Sequence, residues 1–140
     1  MFPVIPSIDP RLANLAPGFR ALSISVRGAE MIHPEVGAAA LAHACQTFTT
    51  SAPWAEAHLQ AWAEVFRRFG AKPQRTPCSA DALRKRVLRD GTMANIDPVV
   101  DLYNAVSIRY AIAVGGENAA AYVGTPTLTL ADGSELFDTI

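Results

Sequence analysis

Residues 34–109 carry four stretches of helical periodicity, each opened or closed by a residue that cannot continue a helix. Pro34 and Glu35 open the first, expected to run to about Thr47. Its alanines (Ala38, Ala39, Ala40, Ala42 and Ala44) let a neighbour pack closely. The second is expected to start at Ser51 as N-cap, with Pro53 in its first turn, and to stop at Gly70 in the C′ position. Leu59, Trp62, Phe66 and Phe69 fall at helical spacing and make its expected buried stripe. Two prolines keep residues 70–78 from being helical throughout. Ser79 caps a third helix, Ala80 to Arg89, ended by Asp90-Gly91. Asp97-Pro98, an N-cap followed by proline at the first helical position, opens a fourth through about Arg109. Its expected inner face is Val99, Leu102, Tyr103 and Val106.

Strands are expected only outside this helical block. The Pro-rich opening through Pro17-Gly18 reads as an irregular arm. Residues 19–28 then alternate, with Leu22, Ile24 and Val26 expected to face a core. After Gly115-Gly116 the pattern turns short and β-like. The sequence TLTLADGSELF predicts a hairpin of two short strands joined by Asp132-Gly133. The order strand, four helices, strands predicts an α+β fold rather than a parallel α/β sheet. At 140 residues a single domain is expected, incomplete in its sheet after residue 137.

The charge distribution is uneven. Between residues 67 and 89 lie eight of the twelve basic residues and one acid, Asp81, whereas the chain as a whole has a formal charge of −1. A localised cationic segment on a nearly neutral chain points to an anion site rather than to a generally basic surface. On the third helix Ala80, Leu83, Val87 and Leu88 cluster on one side and Lys85, Arg86 and Arg89 on the other, with Arg84 inside the apolar arc. Lys85, Arg86 and Arg89 are therefore expected to reach a partner, and Arg84 to snorkel or pair internally.

Other chemistry is thinly represented. The start, MFPVIPSIDPRLANL, has no basic stretch leading into an apolar one, and no apolar run reaches the roughly 18 residues of a membrane span. Cys45 and Cys78 have no CxxC spacing and read as free thiols of a cytoplasmic protein. Cys78 stands before a helix N-terminus near Lys72 and Arg75, a setting expected to lower its pKa. His33, His43 and His58 lack metal-ligand spacing, and His43 and Cys45, two apart on a helix, point in different directions. No GxSxG, Walker A or GxGxxG motif occurs. No metal or cofactor is expected. Asp101 and Asn104, one turn apart, either fix a neighbouring loop or meet a ligand, with the loop role favoured. Gly115-Gly116 either admits a ligand to the backbone or makes a helix-to-strand turn.

Residues 96–107, IDPVVDLYNAVS, resemble the B3/B4 domain of the phenylalanyl-tRNA synthetase beta chain. There an Ile-Asn-x-x-Val-Asp-x-x-Asn pattern opens a helix. Val100, Asp101 and Asn104 match it, and Asp97 stands where the family usually has Asn. The chain is more similar still to the free-standing B3/B4 proteins. These share a tryptophan helix ending in Phe-Gly-Ala-Lys-Pro (residues 62–73 here) and a Ser-capped Leu-x-x-Arg-Val-Leu helix (Ser79, Leu83, Arg86, Val87, Leu88). Val-Asp-Leu-Tyr-Asn and Val-Gly-Gly-Glu (residues 114–117) follow. The likeness covers about residues 19–137.

The resemblance implies a layered β/β/α form of the α+β class, with tRNA or aminoacyl-tRNA as partner. Lys72, Arg75, Lys85, Arg86 and Arg89 would contact phosphates, and Asp101, Asn104, Gly115, Gly116 and Glu117 would frame a ligand pocket. In the synthetase that pocket hydrolyses tyrosine wrongly attached to the phenylalanine tRNA. Ligase activity is not expected from such a domain alone. Gly115 stands where the synthetase has a histidine, and the family's domain continues beyond the Asp-Gly hairpin, so a remnant of the editing hydrolase is one expectation. A module binding a free amino acid near Gly115 and Gly116, and a non-catalytic fragment self-associating through an uncovered sheet edge, are the others.

Overall fold

Helices α2 (Glu35–Ser51) and α5 (Pro98–Tyr110) lie along one another at the centre of a helical unit spanning residues 30–117, in a computed structural model that describes residues 4–136. Their contact is close because small residues meet in it. A Cβ on Gly37 would collide with the Pro98 carbonyl and come 3.0 Å from the Pro98 Cα. Leu41, Ala44 and Phe48, one helical turn apart on α2, are buried against Ala105 and Ile108 of α5, and Val87 of α4 (Ser79–Asp90) completes the cluster. A smaller cluster joins Ala52 and Ala55, at the start of α3 (Ala55–Arg68), to Ala111, with Leu59 beside it.

Local signals place the helix ends. The Asp97 carboxylate accepts from the Val99 amide (2.9 Å) and the Val100 amide (3.4 Å), and Pro98 occupies the first turn of α5. Gly91, at φ +75°, ends α4 in the left-handed conformation that glycine adopts without strain. α2 runs four residues past the expected end and absorbs Ser51, so α3 starts later, with Trp54 at its cap position. Ser51 has a better use than capping α3: its hydroxyl donates to the Arg109 carbonyl at 2.7 Å. α4 starts at Ser79 itself, with Cys78 rather than Ser79 as N-cap.

The inner face of α5 differs from the expected one. Asp101, Ala105, Ser107 and Ile108 are buried, whereas Val99, Leu102 and Val106 are exposed and Tyr103 is half-buried. The narrow approach of α2 selects the side of α5 that carries Ala105. In the same way Leu88 is exposed on α4, and Phe69 is exposed beyond α3 while Leu59, Trp62 and Phe66 are half-buried.

The second unit consists of residues from 4 to 29 and from 118 to 136. Its opening segment is more ordered than an irregular arm. It holds β1 (Ser7–Ile8) and the one-turn α1 (Leu12–Leu15), and β1 pairs in parallel with β2 (Thr127–Leu128) in the register Ser7–Thr127 and Ile8–Leu128. Asp9 binds Arg11 and accepts from the Thr129 hydroxyl, and these bonds hold its carboxyl far below the usual carboxylate range. Residues 19–28 do not form the expected strand, and Leu22, Ile24 and Val26 are exposed. An alternating segment becomes a half-buried strand only where another strand pairs with it, and among the described residues none does.

The expected hairpin at Asp132-Gly133 is likewise replaced. β2 pairs with β1, and the turn is held by its own side chains. Glu135 accepts from the Asp132 and Gly133 amides, and Asp132 from the Ser134 hydroxyl and amide, which lowers both carboxyl pKa values. Phe137 and any sheet beyond it lie outside the described residues. Among those described, the chain is α+β in content, with five α-helices, a single 3-10 turn and two short strands.

Gly37→Ala should destabilise the protein by about 1–3 kcal/mol through overpacking, outweighing the ~1 kcal/mol that alanine gains in a helix. Urea unfolding measures this, and a variant as stable as the parent would contradict the close α2–α5 approach.

Candidate nucleic-acid interface

The cationic segment folds as a hook followed by a helix. α3 ends in a Schellman motif: the Ala71 amide donates to the Phe66 carbonyl (2.9 Å) and the Gly70 amide to the Arg67 carbonyl (3.0 Å), with Gly70 at φ +87°. The Lys72 carbonyl then accepts from the Arg75 and Thr76 amides (2.8 and 2.9 Å), which draws Lys72 and Arg75 into one tight turn. Pro73 and Cys78 are buried and anchor this loop, leaving Lys72 and Arg75 exposed between them.

α4 sorts its cations as its periodicity requires. Arg84 turns inward. Its guanidinium donates to the Ile108 carbonyl at 2.5 Å, makes a long 3.5 Å contact with the Phe48 carbonyl and stands 4.8 Å over the Phe48 ring. Desolvation lowers its pKa from the ordinary arginine value. Lys85, Arg86 and Arg89 are exposed. Lys85 is paired with Asp81 at 2.7 Å, and Arg89 with Asp90 at 2.7 Å. The Arg89 hydrogen bonds push the Asp90 carboxyl down and the Arg89 guanidinium up. Among the described residues, Lys72, Arg75 and Arg86 make no ion pair within 4 Å, although the Arg86 charge still acts on Asp90.

The pocket residues read from the sequence differ in their surroundings. Asp101 is 3% exposed, and its carboxylate accepts from the Asn95 side-chain amide (2.8 Å) and the Ile96 backbone amide (2.9 Å). It is the loop-fixing residue, holding residues 95–96 between α4 and α5. Asn104 is half-buried one turn on, and Gly115, Gly116 and Glu117 are exposed. Gly116 lies against Tyr103, where a Cβ would come 3.1 Å from the ring. The two clefts beside α2 and α5, of about 250 and 510 Å³, are apolar and lined by none of these residues. Met31, Ile32, Val36 and Leu102 line the first; Ala39, Val106 and Tyr110 are in the second.

The thiols do not behave as their charged neighbours suggested. Burial pushes both Cys78 and Cys45 above the ordinary thiol pKa, and for Cys78 desolvation outweighs the pull of Lys85. Among the described residues no three of His, Cys, Asp and Glu group closely enough to hold a metal, and no helix is long and apolar enough to cross a membrane.

Residues 61–140 match the family model of the B3/4 domain. The chain belongs to the B3/4 domain family. No curated protein and no solved structure matches it. The cationic hook and α4 lie wholly within the matched part of the B3/4 domain, as does α5 with Asp101. Sequence reasoning missed Ser51 and Trp54, whose side chains bind the end of α5. The only local trace of that role was Pro53, which breaks the chain between two helices.

Asp101→Ala should cost about 1–3 kcal/mol, because the Asn95 side-chain amide and the Ile96 backbone amide both lose the buried carboxylate that accepts from them. The Ile96 amide should then exchange with solvent faster than in the parent. Unchanged exchange there would mean that the carboxylate does not hold the loop.

Proposed function

We propose that this B3/4 domain binds tRNA or aminoacyl-tRNA through the backbone phosphates, using Lys72, Arg75, Lys85, Arg86 and Arg89. The observation that carries the reading is the sorting of cations on the hook and α4, with one arginine spent internally and five cations exposed on one stretch. Phosphate contacts of this kind fix position and carry little sequence information. The ion pairs of Lys85 and Arg89 are solvent-exposed and so cost little to exchange for phosphate. In the family resemblance the partner is a tRNA of a cytoplasmic translation system, and the domain takes the layered β/β/α form.

Binding without hydrolysis fits the residues better than editing does. Asp101 is committed to the 95–96 loop, and the glycine at 115 offers no side chain for positioning water where the synthetase has a histidine. A second reading, an amino acid bound beside Gly116, draws on the bare backbone against the Tyr103 ring.

Affinity for tRNA should fall between about 50 and 200 mM salt by about 20-fold if three phosphates are neutralised, and by about a hundredfold if five are. Arg86→Gln should weaken binding and leave the urea midpoint unchanged. Binding that is absent or insensitive to salt would overturn the RNA reading. Tyrosine release from mischarged phenylalanine tRNA is expected to stay at the buffer rate, and release above it would assign editing.

A further inference from the structure

The aromatic residues of α3 end beside the cations rather than in the core. Trp62 and Phe66 meet edge to face with centroids 6.2 Å apart, and Phe66 and Phe69 meet at 4.9 Å with a 48° tilt. Along this series exposure rises: Trp62 and Phe66 are half-buried, and Phe69 is 49% exposed. Phe66 packs against the Phe69 ring, which stays about half exposed. The Schellman hook then returns the chain across the end of α3, so Lys72 follows three residues after Phe69 and Arg75 joins it in the same turn. Arg67 and Arg68 precede Phe69, Arg67 being held by Glu64 at 2.9 Å.

We propose that this hook takes an unpaired, single-stranded stretch of RNA, with a base stacked on Phe69 and adjoining phosphates on Lys72 and Arg75. The proposal rests on the RNA reading above and names the kind of RNA it selects. An open ring flanked by cations is the composition of a single-strand site, where a base face meets an aromatic face and the backbone meets charge. A protein partner would use the same ring and arginines but would not tell single strands from duplexes, and the comparison below separates the two. Bases inside a duplex are already stacked and cannot offer a face to Phe69. The hook therefore discriminates single strands from duplexes, and tolerates base identity because every base has a face to stack.

The test compares the full chain with its Phe69→Ala, Phe69→Leu and Phe69→Tyr variants on a single-stranded oligouridine or oligoadenosine and on a blunt duplex RNA of equal length. Phe69→Ala and Phe69→Leu should weaken single-strand binding about 5- to 150-fold. Duplex binding and the salt slope should stay as in the parent, and Phe69→Tyr should bind as the parent does. Leucine keeps an apolar side chain against Phe66, so its loss of binding reports stacking rather than misfolding. Lys72→Gln, in contrast, should reduce the salt slope by about 0.7 on single strands.

Single-strand binding that survives Phe69→Ala and Phe69→Leu, yet falls in Lys72→Gln, would overturn the stacking site and leave the RNA reading standing. Failure of the parent to bind either RNA would overturn both. A shift of sedimentation in Phe69→Ala with RNA binding unchanged would mean that a second copy of the chain covers Phe69, which also overturns the proposal.

Discussion

The last turn of α5 has carbonyls that no helical amide can reach, and three other parts of the helical unit supply their donors. Arg84 of α4 donates to Ile108, Ser51 of α2 to Arg109, and the Trp54 indole to Tyr110. Helix ends leave such acceptors orphaned, and an unsatisfied buried carbonyl costs about 1–3 kcal/mol. The Arg84 charge also sits at the negative end of the α5 dipole. One helix terminus thereby holds the end of α2, the start of α3 and the middle of α4.

The orientation of the cationic surface follows from that anchorage. With Arg84 bound under α4, helical geometry turns Lys85, Arg86 and Arg89 away from the core. Asp101 performs the complementary task at the other end of α5, fixing the loop through which the chain returns from α4. Asp101 thus takes the loop-fixing role that its spacing favoured, and the exposed surface of α4 is electrostatic. The proposed RNA-binding role rests on that division.

Helix-end signals are legible in the sequence because they act over a few residues. Asp97-Pro98, Gly70 and Gly91 act through the backbone within a few residues, so helix ends follow from them with errors of a few residues at Ser51 and Ser79. The direction of Arg84 followed from its angular position. The buried face of α5 did not, because counting apolar residues picks Val99, Leu102 and Val106, whereas close approach by Gly37 picks the side with Asp101 and Ala105. Strand pairing was equally hidden: β1 and β2 are about 120 residues apart, and nothing in either dipeptide names the other. Cys78 shows the same limit in electrostatics, since the burial that raises its pKa comes from tertiary packing. The aromatic hook was visible as a helical stripe, but its exposure at Phe69 was not.

The central claim is that residues 66–89 form the RNA-facing surface, oriented from below by Arg84. Backbone amide shifts followed by NMR during titration with tRNA test it most directly. The account predicts that the largest changes fall on the hook and the outer face of α4, with the α2–α5 clefts unaffected. Changes concentrated in those clefts or around Gly116, or none at all, would contradict it.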